Sequence, residues 1–99
     1  IKMKSPDNCQ TILEIRDEID AIDQQIISLI GQRSHYVKAA AKFKTSEMSV
    51  KAPERFQAML QQRRIWAEDN GLNLDVIEKM YRDLVNYFIS EEIKYLSEK

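Results

Sequence analysis

The sequence contains few glycine, proline and cysteine residues. Its 99 residues include two glycines, two prolines and one cysteine, Cys9. A lone cysteine excludes an internal disulfide, so the fold must be held by packing without that crosslink. With 43% hydrophobic and 31% charged residues, the composition fits a helical bundle better than a β-sheet protein or a disordered tail. This length predicts one domain, spanning residues 1–99.

The sequence lacks features that several functional classes require. There are 15 basic and 16 acidic residues, for a formal net charge of −1, so the chain lacks the basic surface that nucleic-acid binding requires. No apolar run is long enough to span a membrane. The N-terminus lacks the apolar core of a signal peptide, and a cytoplasmic location is therefore expected. Motifs for a phosphate loop, a metal site or a nucleophile elbow are absent.

One long helical pattern dominates the first half of the chain, from Thr11 to Lys44. Thr11-x-x-Glu14 matches a capping box at its start, and residues 1–8 are expected to be a loose N-terminus. Apolar residues recur every three or four positions and form one face of a helix, called here the apolar stripe: Ile12, Ile15, Ile19, Ile22, Ile26 and Leu29. A helix of this extent measures about 50 Å, too long to be covered by the rest of the chain. The pattern therefore predicts a homodimer with this helix at its centre.

Two shorter helices are predicted in the second half. Residues 45–52 lose the periodicity and are predicted to form a loop, and Pro53 suits the first turn of a helix. That second helix is expected to stop at Gly71, because glycine favours a left-handed cap. Asn73 or Asp75 is expected to cap a third helix. The predicted fold class is therefore all-α, with three helices of which the first is very long.

Four charged residues lie on or beside faces that should be apolar. Arg16 lies beside the apolar stripe, Arg33 on its continuation and Lys44 at its end. Glu92 interrupts the apolar face of the third helix. These residues are either internal ion pairs, with Glu92 neutralising Arg33 or Lys44, or the charged groups of a ligand site. Arg16 and Arg33 are roughly 25 Å apart along a straight helix, so both can contact one small molecule only if an antiparallel partner chain supplies one of them.

Other candidate residues have weaker support. His35 is the single histidine and has no neighbours at metal-ligand spacing, so neither a catalytic nor a metal-binding role is expected. Cys9 is expected to be an inert thiol. Arg63, Arg64 and Trp66 could form a nucleic-acid patch, but nearby acidic residues favour a solvated surface instead.

Several segments together point to one family. They are Ile15-Arg16-Asp17-Glu18-Ile19-Asp20, Ile22-Asp23, Arg33, Tyr36-Val37-Lys38-Ala39-Ala40, Phe43-Lys44, Ala52-Pro53-Glu54-Arg55, Trp66-Ala67-Glu68 and Glu91-Glu92-Ile93-Lys94-Tyr95. In these segments, which lie in register over almost the whole chain, the sequence resembles the bacterial isochorismate pyruvate lyases of salicylate-siderophore synthesis. Those enzymes belong to the all-helical chorismate mutase superfamily.

The resemblance implies an intertwined homodimer with two equivalent sites that needs no cofactor and no metal. Arg16 from the other subunit and Arg33 would bind the carboxylates of a dianionic substrate, isochorismate or chorismate. Lys44 would donate a hydrogen bond to the ether oxygen. Glu92 stands where the lyases carry a glutamine, and a glutamate can donate a hydrogen bond only when it is protonated. The implied catalytic residues are Lys44 and Glu92, and all four residues are implied in substrate binding.

The implied activity is a pericyclic elimination that converts isochorismate to salicylate and pyruvate, with secondary chorismate mutase activity. Pro53-Glu54 favours the lyase reaction, because similar bacterial mutases usually carry Arg-Glu at these positions. An alternative is rearrangement of chorismate to prephenate as the main activity. A second alternative is a non-catalytic helical dimerisation or regulatory module. A DNA-binding dimer is disfavoured, since the sequence has no basic recognition helix.

Overall fold

A computed structural model describes residues 4–98 of the chain. Within these residues the regular structure is helical and contains no strand. A short 3-10 turn at Pro6–Asn8 precedes α1 (Ile12–Ala41), α2 (Glu47–Lys51), α3 (Pro53–Asp69) and α4 (Leu74–Ser97). The predicted all-α fold is confirmed, and the three predicted helices correspond to α1, α3 and α4.

The chain divides into two compact units, one ending at Tyr36 and one beginning at Val37. The first unit contains the N-terminal turn and most of α1. The second contains the end of α1 together with α2, α3 and α4. The single domain over residues 1–99 stays a prediction.

The start of α1 is held by local hydrogen bonds. The Thr11 hydroxyl accepts a hydrogen bond from the backbone N–H of Glu14 at 3.2 Å, as the capping-box pattern predicts. The Glu14 carboxylate accepts from the backbone N–H of Gln10 at 2.7 Å and lies 3.1 Å from the Lys4 ammonium. The Gln10 N–H and then Lys4 lower the pKa of Glu14. The sequence predicts a loose segment over residues 1–8, and residues 1–3 of it lie outside the described residues. Residues 4–8 include Lys4 of this ion pair and the 3-10 turn.

The apolar stripe of α1 is not covered within the chain. Its six residues are between 39% and 59% exposed, and no described residue before Ala41 is buried. A surface of this kind is unusual on a soluble monomer and indicates an interaction site.

The helix α1 ends earlier than its sequence pattern predicts. The pattern continues to Lys44, whereas the α-helix ends at Ala41. The backbone N–H of Phe43 donates to the carbonyl of Ala40 at 3.0 Å, and that of Lys44 donates to the carbonyl of Ala41 at 3.2 Å. These bonds span three residues instead of four, which tightens and terminates the last turn. Lys44 therefore lies beyond the helix.

The predicted loop over residues 45–52 is wrong in part, because it contains the five-residue helix α2. Ser46 caps this helix by accepting a hydrogen bond from the backbone N–H of Ser49 at 3.2 Å, and the Ser49 hydroxyl accepts from the backbone N–H of Ser46 at 3.2 Å. This is a capping box with serine in the place of the usual glutamate or glutamine. That substitution explains why the sequence pattern missed it.

The end of α3 and the start of α4 lie where the sequence predicts them. Gly71 has φ 70°, and the backbone N–H of Leu72 donates to the carbonyl of Ala67 at 2.8 Å. These features form the Schellman cap that ends a helix at a left-handed glycine. The side chain of Asn73 accepts from the backbone N–H of Val76 at 3.0 Å, so Asn73 caps α4.

The core of the second unit lies where α2 and α3 pack against α4. Its buried apolar residues are Ala41, Val50, Met59, Leu60 and Ala67. Along α4 the apolar side chains are half-buried or exposed, and the buried residue is a glutamate: Glu92, at 7% exposure. Charged residues are rarely buried unless they are paired, so this carboxylate requires an explanation.

Candidate active site

Glu92 forms an ion pair with Lys44 inside the second unit. The Lys44 Nζ lies 2.9 Å from Oε2 of Glu92, a distance typical of a charge-assisted hydrogen bond. The side chain of Glu92 is 8% exposed and that of Lys44 is 26% exposed. Lys44 is one of the two partners that the sequence leaves open for Glu92, and the structure shows this contact. The ion pair between these two residues is therefore present, and their role in a ligand site stays a prediction.

Helix α4 determines where the carboxylate lies. Glu92 follows Phe88 by four residues and precedes Leu96 by four, so it shares their face of the helix. Both neighbours are half-buried. A buried carboxyl group needs a hydrogen-bond partner, and Lys44 provides one.

The contact between Lys44 and Glu92 has one donor and one acceptor. An ammonium can only donate a hydrogen bond, so Lys44 donates and Glu92 accepts. Lys44 contacts Oε2 of Glu92, and the other oxygen could donate a hydrogen bond only if the carboxyl were protonated. The arrangement as it stands provides one oriented ammonium next to an apolar interior.

The two arginines lie on α1 in the first unit. Arg16 is exposed near the N-terminal end of the helix, and Arg33 is half-buried 17 positions later. Because α1 is continuous from Ile12 to Ala41, the two side chains start roughly 25 Å apart. This separation agrees with the straight helix that the sequence analysis assumes, and the sharing of the two arginines between chains stays a prediction.

The two arginines of the suspected nucleic-acid patch, Arg63 and Arg64, contact other side chains of the same chain. The guanidinium of Arg63 lies over the rings of Trp66 and Tyr81, at 4.7 Å and 5.5 Å from their centroids. Arg64 Nη1 lies 2.8 Å from the carboxylate of Asp75. Cations bound to neighbouring rings and carboxylates are poorly available to phosphates, which favours the structural interpretation.

A charge network that the sequence analysis missed joins α3 to α4. Glu78 accepts hydrogen bonds from Arg82 at 3.0 Å and Arg64 at 3.1 Å. The Arg82 guanidinium lowers the pKa of Glu78, partly opposed by burial. The spacing of Glu78 and Arg82, four residues apart, was a signal for half of this network. The contact with Arg64 depends on how α3 packs on α4.

Other site types have no counterpart in the part of the chain that is described. Across residues 4–98, no group of histidine, cysteine, aspartate or glutamate side chains is arranged to hold a metal ion. His35 is exposed. In the same range, none of the helices combines the length with the apolar character that a membrane span needs.

The described chain is an all-helical protein with a very long first helix, in which a half-buried lysine contacts a buried carboxyl group. Comparison with protein families assigns the chain more narrowly. Residues 15–93 match the model of the chorismate mutase type II family, and the chain belongs to this family.

Individual relatives agree with the assignment. The chain is 45% identical over 93 residues to an isochorismate pyruvate lyase of Pseudomonas aeruginosa, covering 94% of this chain and 92% of that protein. It is 33% identical to a T-protein of Haemophilus influenzae, covering 87% of this chain but 23% of that longer protein. It is 26% identical to a chorismate mutase of Methanocaldococcus jannaschii, covering 90% of this chain and 91% of that protein.

Proposed function

We propose that the protein is an isochorismate pyruvate lyase that converts isochorismate to salicylate and pyruvate, with secondary chorismate mutase activity. The observation that carries this proposal is the 45% identity to the Pseudomonas aeruginosa lyase, which extends over nearly the full length of both chains. Family membership supports a substrate of the chorismate type. The lone cysteine is consistent with the proposed cytoplasmic location.

The proposed reaction breaks the bond between the ring carbon and the ether oxygen. A hydrogen moves from the ring to the methylene carbon of the enolpyruvyl group, and the ether oxygen becomes the keto oxygen of pyruvate. The ring becomes aromatic as salicylate, so the products contain all atoms of the substrate. Such a rearrangement needs no nucleophile. The protein must hold the reactive conformer and stabilise negative charge on the ether oxygen.

Four residues are proposed to supply these functions. Arg16 and Arg33 bind the two substrate carboxylates by charge-assisted hydrogen bonds. Lys44 donates a hydrogen bond to the ether oxygen as negative charge develops there. Glu92 belongs to the same site through its 2.9 Å contact with Lys44.

The proposed enzyme is a homodimer. The chain has an accessible surface of 8051 Å², whereas a folded monomer of 11.6 kDa averages about 5,800 Å². The accessible surface of one chain thus exceeds the average by roughly 2,200 Å². Two chains that cover this excess against each other bury an area in the range of obligate homodimer interfaces. The exposed apolar stripe of α1 supports this helix as the interface, with a second copy as its occupant.

The proposed dimer also explains how Arg16 and Arg33, which lie far apart on one helix, can bind one substrate. Arg16 and Arg33 of one chain are too far apart for one substrate, so Arg16 is proposed to come from the other subunit. An antiparallel arrangement of two α1 helices generates two equivalent sites by symmetry. Each site then contains one guanidinium from each chain.

The lyase is favoured over the mutase as the main activity by the start of α3. Pro53 is the first residue of this helix, and a proline offers neither charge nor a hydrogen-bond donor to a substrate. Mutases of the resembling type usually carry arginine there, so one of their substrate contacts has no counterpart. Chorismate mutase as the main activity remains the second candidate because the family model and the Methanocaldococcus jannaschii relative bear that name.

Product analysis tests the proposal. The purified protein is incubated separately with isochorismate and with chorismate, and salicylate, pyruvate and prephenate are measured. Equal amounts of salicylate and pyruvate from isochorismate, exceeding prephenate from chorismate, support the lyase. Faster prephenate formation makes the mutase the main activity, and no turnover of either substrate rejects both.

A pair of arginine variants separates an enzyme from a non-catalytic module. Arg33→Ala is expected to lower turnover at least a hundredfold while the protein stays a folded dimer, because a carboxylate contact is lost. Arg55→Ala removes an exposed arginine of α3 and serves as the matched control. If Arg33→Ala unfolds the protein and leaves the activity per folded molecule unchanged, Arg33 is a structural residue.

A further inference from the structure

The segment between α1 and α3 is buried at two points. Ala41, the last residue of α1, is 5% exposed, and Val50 of α2 is 3% exposed. The helix α2 packs against α4, and its other four residues are exposed. The residues from 42 to 49 are exposed as well, with the exception of Lys44. The segment is therefore attached to the core at its two ends, and Lys44 lies between them.

The helix α2 needs the burial of Val50 because it has little stability of its own. Five residues are far fewer than an isolated helix requires in water, so α2 depends on tertiary packing. Its capping box joins Ser46 to Ser49, and both hydrogen bonds of this box stay within the segment. After α2, Ala52 has φ 36°, a left-handed conformation that is disfavoured for alanine and persists only where the surrounding structure enforces it.

The position of α2 determines where Lys44 can lie. Lys44 precedes the cap residue Ser46 by two positions, and its backbone N–H donates to the carbonyl of Ala41 at 3.2 Å. Two residues span at most about 7 Å, so the backbone of Lys44 has to follow the start of α2. In the docked arrangement the side chain of Lys44 is 26% exposed and its Nζ reaches Glu92 on α4. On an undocked segment a lysine side chain samples many rotamers in water.

We infer that Val50 is a positioning residue, whose burial holds α2 against α4 and thereby places the Lys44 ammonium in the proposed site. This role rests on the proposed function, in which Lys44 donates to the ether oxygen. The hydrocarbon side chain of Val50 has no group that binds a carboxylate or donates to an oxygen, so it acts through Lys44. An enzyme whose competent arrangement is only partly populated has a correspondingly lower apparent affinity. Loosening α2 should therefore lower kcat/KM.

A double-mutant cycle tests whether Val50 acts through Lys44. Val50→Ala removes two carbon atoms from the buried side chain and is expected to lower kcat/KM by about tenfold. In a Lys44→Ala background the same substitution should change kcat/KM by less than about twofold, because no ammonium remains to be placed. An equal loss in both backgrounds would mean that Val50 acts on the substrate or on the whole fold, and would overturn the positioning role. An undiminished kcat/KM in the single Val50→Ala variant also overturns it.

A second core residue controls for a general loss of stability. Leu60 of α3 is 2% exposed, and Leu60→Val shortens its side chain by one carbon in another helix. The kcat/KM of this variant is expected to stay within about twofold of the unsubstituted protein, because the loss of one buried methylene is small against the stability of a folded domain. A fall as large as that of Val50→Ala would assign both effects to the integrity of the core and overturn the positioning role.

Limited trypsin digestion, read by peptide mass spectrometry, measures the opening of the segment without turnover. Lys44 and Lys51 are cleavage positions within the segment, and Lys79 lies on α4 with 76% of its side chain exposed. Cleavage after Lys79 reports on opening of the whole fold. Val50→Ala should raise cleavage within the segment by about tenfold and leave cleavage after Lys79 within about twofold of its original rate. Equal increases at all three positions, or no increase within the segment, would show that Val50 does not hold α2 in place.

The digestion separates a failure of this role from a failure of the proposed function. If neither substrate is turned over, the proposed function fails, and increased cleavage within the segment still supports the anchoring of α2 by Val50. If Val50→Ala does not fold, Val50→Thr takes its place, because threonine keeps the volume of valine and its buried hydroxyl weakens the anchoring. The same cleavage pattern is expected for both variants.

Discussion

The exposed apolar stripe of α1 leads to a quantitative prediction about assembly. Ile26 lies near the middle of the stripe and is 47% exposed. Full burial of an isoleucine side chain contributes about 1.5–3 kcal/mol, so covering the exposed half contributes roughly 1 kcal/mol. Six such residues in each of two chains contribute on the order of 12 kcal/mol. This is similar to the cost of associating two proteins, so the proposed dimer would need most of the stripe.

A glutamate at position 26 should therefore break the dimer. The substitution Ile26→Glu loses the apolar contribution and adds a desolvation penalty of several kcal/mol for the carboxylate. A two-fold interface contains the change twice. The expected loss is at least about 6 kcal/mol, which raises the dissociation constant by a factor of roughly 10⁴ or more.

Sedimentation velocity over a micromolar concentration series measures this effect. The unsubstituted protein should sediment as a dimer, and Ile26→Glu should be a monomer or unfolded. Gln24→Glu adds the same charge to the opposite, polar face of α1 and should leave the dimer intact. If Ile26→Glu is as dimeric as Gln24→Glu, the stripe is not the interface, and a site shared between two subunits loses its basis.

Three further substitutions test local features of the fold. Ala52 has φ 36°, so Ala52→Gly should raise the free energy of unfolding by about 0.5–1 kcal/mol in urea titrations; a decrease would mean that this conformation is not strained. Asn73→Ala removes the cap on the N–H of Val76 and should lower that free energy by about 1 kcal/mol, whereas an unchanged melting temperature would contradict the cap. The hydrogen bond from Arg82 lowers the pKa of Glu78, so the stabilisation by the Glu78 carboxylate is present near neutral pH and is lost as the pH falls through this lowered pKa. The stability difference between the unsubstituted protein and Glu78→Gln should therefore disappear in acid, and a difference that is constant with pH would refute the assignment.

Local sequence signals predicted the elements that depend on neighbouring residues. The spacing of the isoleucines, the Thr11 and Asn73 caps and the left-handed Gly71 each act within one or two helical turns. Such signals can be read from the sequence because the interacting groups are close along it. They were less accurate where the apolar spacing continued past the end of α1, and where Ser46 and Ser49 replaced the usual residues of a capping box.

The sequence by itself determined that the chain is helical, that α1 carries an apolar face too long for the chain to cover, and that a carboxyl group interrupts the apolar face of α4. It identified the four charged residues but left Arg33 and Lys44 equal as partners of Glu92. Only the tertiary structure showed that Lys44 contacts Glu92, because the two residues are 48 positions apart and meet only when the turn after α1 lies against α4. Contacts between distant residues depend on how whole helices pack, which local propensities do not specify.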